Sequence, residues 1–250
     1  MNGNPEEFTL DYHLTAAECN AQQEISLPMM VQRLIDIATA HADVCNIGYQ
    51  RLIADGNSWV LSRITLEMKR YPTINENYSL TTWVESLNRH FSERNVEIHD
   101  GQGEPIGYAR LVWMAINISS RRPADLSPII PEIKISDRPC PIAKQSRLSL
   151  AGIPDITTVY QFKFSDIDFN RHVNSTRYVQ FILDRWSVGF FDMRMVSRFE
   201  IAYMSEARYN DVVDVRLKGD ESYQDIEIAR DGTVCTRARI HFAPRTNTTP

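Results

Sequence analysis

Between Asp166 and Asn174 the chain reads D-I-D-F-N-R-H-V-N, directly ahead of an amphipathic segment, "STRYVQFILDRW". Two carboxylates, two amides and an imidazole are more polarity than capping a helix requires. Asn170 and His172 can donate hydrogen bonds. The first peptide N–H groups of the following helix, near Asn174 and Ser175, add further donors at the positive end of the helix dipole. Such donors suit a carbonyl oxygen that gains negative charge when water attacks its carbon. That attack also needs a base for the water. Glu206, in "YMSEARYNDVVDV", can accept the proton.

A plainer reading competes. The same residues fit an Asx-rich turn capped by Asn174, with His172 a satisfied structural histidine and Asp166 a solvated turn residue or a helper. Asn174 suits a cap better than a catalyst. His13, His41, His90, His99 and His241 have no comparable setting and read as structural.

The elements that must hold this cluster are written twice along the chain. A strand over about Phe8 to Leu14 precedes "LPMMVQRLIDIATAHADVCNIG", in which Met30, Leu34, Ile37 and Val44 recur at helical spacing. Pro28 suits its first turn and Gly48 its end. Strand-like runs follow: "SWVLSRITLEMKRYP", "YSLTTWVESLN", "FSERNVEIHD" and "IGYARLVWMAINI", with "DGQGEP" as a hairpin turn. The second half repeats the order with "TVYQFKF", a helix over "NSTRYVQFILDRWSVGFF", strands in "FEIAYMSEARYNDVVDVRLKG", "YQDIEIA" and "TVCTRARIHFAP", and a turn at "RDGT". Aligning the halves sets Asn75-Glu76 on Asn210-Asp211 and Tyr71 on Glu206. Between them, Ser119 to Thr157 lacks periodicity and holds half of the chain's 12 prolines, which predicts a long linker across the surface.

Composition bounds the rest. A chain of 250 residues, 43% hydrophobic, can bury a sizeable core. Its net charge of −5 with scattered basic residues argues against nucleic acid. No apolar run is long enough to span a membrane and no leader pattern opens the chain, which predicts a cytoplasmic setting. Cys19, Cys45, Cys140 and Cys235 are widely spaced, which favours reduced thiols over zinc or disulfides.

The segments "SDIDFNRHVNSTRY" and "EIAYMSEARYNDVVDV", with "SWVLSRITLEMKRYP" and "TWV" in the first half, resemble the acyl-acyl-carrier-protein thioesterases of plants and bacteria from about Phe8 to Pro244. The resemblance implies an α+β tandem (double) hotdog fold, each half an antiparallel sheet wrapped around a long helix. It implies hydrolysis of fatty acyl-acyl carrier protein to free fatty acid. Asp168 would orient the network, Asn170 and His172 would position and polarise the thioester or water, and Glu206 would be the base. Plant members carry a cysteine after that acid, and Ala207 stands there in this chain, so direct water attack is expected. Strand alternation would turn Ser205 away from the Glu206 face.

The domains implied are 1–118, an N-terminal hotdog unit, 119–157, a linker, and 158–250, a catalytic C-terminal unit. The first half enters its helix through "AECNAQQEISLP" without the D-x-N-x-H element, which predicts one active site per chain and frees the first half to hold the acyl chain. Met30, Leu34, Trp59 and Met68 are the candidates for that pocket, and equally for plain core, as is Met29. A phosphopantetheine arm on an acidic carrier would need cations at the mouth. Arg171 and Arg177 are candidates, with Lys163, Arg185 and Arg208, though each also reads as an ordinary solvated residue. No cofactor or metal is called for, and homodimerisation is left open. Competing readings are an acyl-CoA thioesterase and a non-catalytic acyl-ligand sensor. A β-hydroxyacyl dehydratase is disfavoured because its H-F-x-x-x-P-x-x-P-G element is missing.

Overall fold

The structure is a computed structural model that describes residues 4–245. Its first half contains β1 (Glu7–His13), α1 (Leu27–Val44), α2 (Tyr49–Ala54), β2 (Asn57–Met68), β3 (Asn77–Leu87), β4 (Phe91–Asp100) and β5 (Pro105–Asn117). The second contains β6 (Ile156–Gln161), α3 (Ser175–Leu183), α4 (Val188–Met193), β7 (Arg194–Tyr203), β8 (Val212–Gly219), β9 (Tyr223–Arg230) and β10 (Thr233–Pro244).

The ten strands form one sheet in the order β1-β3-β4-β5-β2-β7-β10-β9-β8-β6. Read from either edge the topology is the same, with β6 standing for β1, β7 for β2 and β8 to β10 for β3 to β5. The halves meet where Arg63–Glu67 of β2 pairs antiparallel with Arg198–Ala202 of β7. This is the tandem hotdog arrangement. It positions two helix N-termini, one per half, against a continuous sheet.

One face of the sheet is apolar and packs on the helices, as period-two patterning requires. Met30, Val31, Leu34 and Ile37 of α1 are fully buried with Leu80, Val96, Ile98 and Leu111, and the same core continues through Tyr178, Val179 and Ile182 of α3 to Phe199, Ile201 and Ile228. The helix starts are built by side-chain caps, Ser26 Oγ accepting from Met29 N at 3.4 Å and Asn174 Oδ1 from Thr176 N at 2.9 Å.

Three boundaries differ from the sequence reading. α1 stops at Val44, which is 50% exposed and lies beyond the packed face. Asn46 takes the left-handed turn there, at φ 57°, and Gly48 instead caps α2. The single long helix expected over "NSTRYVQFILDRWSVGFF" is two, because Ser187 Oγ accepts from Phe190 N at 3.2 Å and starts α4 afresh. The tight β9–β10 turn follows expectation, with Asp231 and Gly232 both at positive φ, 48° and 77°.

Residues 119–155 contain one short 3₁₀ turn, Ile130–Glu132, and no strand. Ala124, Leu126, Ile129 and Ile133 close a second, smaller core with Ala42, Cys45, Ile47 and Leu52. Farther on, this segment crosses the polar face of the sheet. There its carbonyls accept from side chains that stand outward: Arg138 O from Trp83, Cys140 O and Ile142 O from Arg110, and Leu148 O from Arg237. Among the described residues, no helix is long and apolar enough to cross a membrane.

Under the last turns of α1, Arg94 of β4 is buried and donates to His41 Nδ1 and to Thr82 Oγ1. An arginine only donates, so His41 Nδ1 accepts and Nε2 carries the hydrogen, which reaches Pro5 O at 3.1 Å. Burial first, then the Arg94 cation, push His41 down from 6.5 to about 4. The unfolded chain therefore binds this proton more tightly than the folded one. Stability owed to the neutral ring is fully present above about pH 6.5 and is lost as pH falls towards about 4. Urea unfolding midpoints are expected to drop across that window, and His41→Gln is expected to flatten the drop. An unchanged slope in that variant would assign the acid sensitivity to other groups.

Candidate active site

Of the residues singled out in the sequence, His172 and Glu206 meet through their side chains just ahead of α3. Glu206 sits on the connection between β7 and β8, not on a strand, with Oε2 3.1 Å from His172 Nε2 and Oε1 ion-paired to Arg121. Burial, then Arg208, with Arg121 adding to them and Asp168 opposing, holds His172 below its ordinary value. The neutral ring can thus present one N–H to the carboxylate and keep Nδ1 as an acceptor.

Asp168 acts on the loop backbone. Its Oδ1 accepts from Asn170 N at 2.8 Å and His172 N at 3.2 Å, while its own N–H donates to His172 O at 2.8 Å. Arg171 closes this turn at φ 64°, a conformation that side chains with a Cβ rarely adopt. The loop so fixed aims the His172 ring. Asn170 is exposed, and its side-chain amide meets no protein partner among the described residues. Asn174 is the cap of α3, accepting from both Thr176 N and Thr176 Oγ1 at 2.9 Å. Its own N–H is taken by Asp166 O at 2.8 Å, which leaves the N–H of Ser175 as the helix-start donor without a partner among the described residues.

Other candidates fall in different places. Asp166 is 3% exposed, which corrects its reading as a solvated turn residue: its carboxylate accepts from Lys163 N and Tyr160 OH, and so pins the strand end to the loop. Ser205 is held away from the chemistry, but by a hydrogen bond to Val234 O at 2.9 Å, since no strand alternation exists there. Arg177 bonds Gln180, Arg185 bonds Thr158, and Arg208 is exposed beside His172. Met30, Leu34 and Met68 lie in the main core, whereas Trp59 packs against the smaller one with Nε1 donating to Ile47 O at 2.8 Å.

Two residues from before the second half reach the site without any motif to announce them. One is Arg121, on the loop after β5. The other is Tyr49, at the start of α2, whose ring meets Phe169 edge-on with centroids 6.1 Å apart.

The first half keeps the same scaffold with different chemistry. Asn20 Oδ1 accepts from Gln22 N and Glu24 N, both at 3.0 Å, as Asp168 does, and Gln23 is left-handed like Arg171. Ile25 N reaches Pro72 O as Val173 N reaches Ala207 O, and Asn75 and Asn210 share positive φ, 64° and 68°. N-x-Q-x-E therefore occupies the place of D-x-N-x-H. Glu24 forms a bidentate ion pair with Arg245, at 2.5 and 2.9 Å, and Tyr71, in the place of Glu206, donates to Val196 O at 2.9 Å. A cavity of about 250 Å³ beside them is lined largely by apolar groups, Trp186 and Phe191 among them.

The fold agrees with what comparison of the chain with known proteins finds. The family models for the acyl-ACP thioesterase N-terminal and C-terminal domains match residues 5–133 and 154–244. The chain belongs to the acyl-ACP thioesterase family. A crystal structure of an acyl-ACP thioesterase from Bacteroides thetaiotaomicron is 33% identical and aligns with a TM-score of 0.89 over 95% of this chain and 98% of that one. The 12:0-ACP thioesterase from Umbellularia californica shares the fold at 18% identity, with a TM-score of 0.83 over 98% of this chain and all of that one. Among curated relatives, the chloroplastic palmitoyl-acyl carrier protein thioesterase of Arabidopsis thaliana is 24% identical over 97% of this chain. The chain spans just under two thirds of that acyl-ACP thioesterase's length, 65%.

Proposed function

We propose that the protein hydrolyses the thioester of fatty acyl-acyl carrier protein and releases free fatty acid. The observation that carries this reading is the Glu206 carboxylate set 3.1 Å from His172 Nε2 at the start of α3. Glu206 takes a proton from water as the water oxygen bonds to the thioester carbon. The Asn170 amide and the Ser175 N–H stabilise the oxyanion. Collapse breaks the carbon–sulfur bond, and the departing thiolate of the phosphopantetheine arm takes the proton back from Glu206. One water is consumed, and a fatty acid and a carrier thiol are formed. The test is free fatty acid released from acyl-carrier-protein and from acyl-CoA of equal chain length. Preference for the carrier supports the reading, preference for CoA replaces the leaving group, and turnover of neither removes it.

No thiol is needed in this scheme. Cys235 is the cysteine whose backbone lies against the Glu206 segment, its carbonyl accepting from Met204 N and Ser205 N, yet its side chain is fully buried. A variant with all four cysteines replaced by alanine is expected to keep most activity once shown to be folded. Trapping an acylated cysteine on the pathway would overturn water attack.

The acyl chain is assigned to the first half, beside α1. Met30, Leu34 and Met68 line the face it would meet, and substitutions that enlarge or shrink them are expected to shift the lengths of the released fatty acids. Trp59, the fourth candidate, packs against the smaller core instead. Leu34→Ala alone would cost about 2–5 kcal/mol as a core truncation, so milder changes such as Met30→Leu are the cleaner probes. A change in stability with unaltered product lengths would place the chain elsewhere.

A further inference from the structure

We infer that Arg121 is a positioning residue for the second-half base, delivered by the loop that follows β5. This rests on Glu206 being that base. The two carboxylate oxygens have different partners: Oε2 faces His172 at 3.1 Å and Oε1 is paired with the Arg121 guanidinium. The pair is 47% and 36% exposed, so screening by water makes it a weak contributor to stability. Its geometric effect is to hold one carboxylate oxygen towards Arg121 and leave the other for His172 and water.

The loop that carries Arg121 is built to hold one conformation. Asn117 Oδ1 accepts from Ser120 N and Ser120 Oγ, at 2.9 and 3.0 Å, and Asn117 Nδ2 donates to Gly56 O at 3.1 Å. Arg121 N donates to Asn117 O at 2.9 Å, and Asn117 N to Arg122 O at 2.8 Å. Arg121 itself sits at φ 59°, a conformation that residues other than glycine avoid. The charged or titratable groups in contact with the carboxylate are Arg121 from the loop after β5 and His172 from the second half, and Asp168 and Arg208 act on the His172 ring. Arg121 is the cation among these in direct contact with Glu206. It favours the ionised base before attack, and after attack it favours return of the proton to the leaving thiolate.

The test is steady-state kinetics on acyl-carrier-protein across pH for Arg121→Gln, Arg121→Lys and Glu206→Gln, each checked by circular dichroism and thermal melting. Arg121→Gln is expected to lower kcat about tenfold with KM within about twofold, a fraction of what losing an acid–base group costs. The acidic limb of its kcat/KM profile is expected to move up by about one pH unit, the lower end of what an adjacent cation does to a carboxylate. Arg121→Lys should return the limb towards its original position. An unmoved limb would overturn the inference, whether kcat holds or falls with the melting temperature. A rise in KM alone would also overturn it and make Arg121 a substrate-binding group. If Glu206→Gln stays active, the base assignment fails first. If Glu206→Gln is inactive while Arg121→Gln behaves as wild type, only the role of Arg121 fails.

Discussion

Glu206→Gln is expected to lose between about 100-fold and 10,000-fold in kcat, the range for removing a positioned acid–base group. The amide is nearly isosteric and its one oxygen can still accept from Arg121 or from His172, so the fold around the loop should survive. What it cannot do is accept a proton from water. The measurement is fatty acid release from acyl-carrier-protein by a variant whose melting temperature is within a few degrees of wild type. Near-native hydrolysis would remove Glu206 from the mechanism and leave its pairing with His172 as a structural bond.

His172→Ala and Asn170→Ala are each expected to lower the rate by about a hundredfold, the scale for losing an acid–base group or an oxyanion donor. Asn170 gives the cleaner result. Its side chain is exposed with no protein partner among the described residues, so truncating it should leave stability untouched and report on chemistry alone. His172 is half-buried against Glu206, and its removal also frees the carboxylate to rotate towards Arg121. Single-turnover rates with carrier-bound substrate would separate these effects from binding. Losses below about threefold in both variants would return the D-x-N-x-H element to a capped turn.

Much of the candidate site is legible in the sequence, because most of its residues are near neighbours along the chain. Asp168, Asn170 and His172 share one turn, and Glu206 lies in a recognisable context one strand later. Period-two runs around two helical segments were enough for the repeated fold. Tertiary pairing was not visible. Arg121 stands 85 residues from Glu206 and belongs to "SSRRP", where nothing in spacing or composition links it to a carboxylate. Asp166 looked like a solvated acid because turn residues usually are, and only the return of the chain onto Tyr160 and Lys163 buries it. Ser187 did carry a signal, a capping serine inside a helical pattern, but the apolar periodicity on either side outweighed it.

The strand order that reads alike from both edges also bears on how this protein can be altered. In an assembly of two identical subunits, every substitution appears in both copies, so a change that improves one pocket is repeated at the other. Here the two copies share a single chain, and each codon is used once. One helix entrance can hold a base and an imidazole while its counterpart holds a Glu24–Arg245 ion pair and Tyr71. A library varied only at residues 20–26 and 71 would therefore remodel one entrance and leave the residues of the other unmutated, an independence that no symmetric dimer offers.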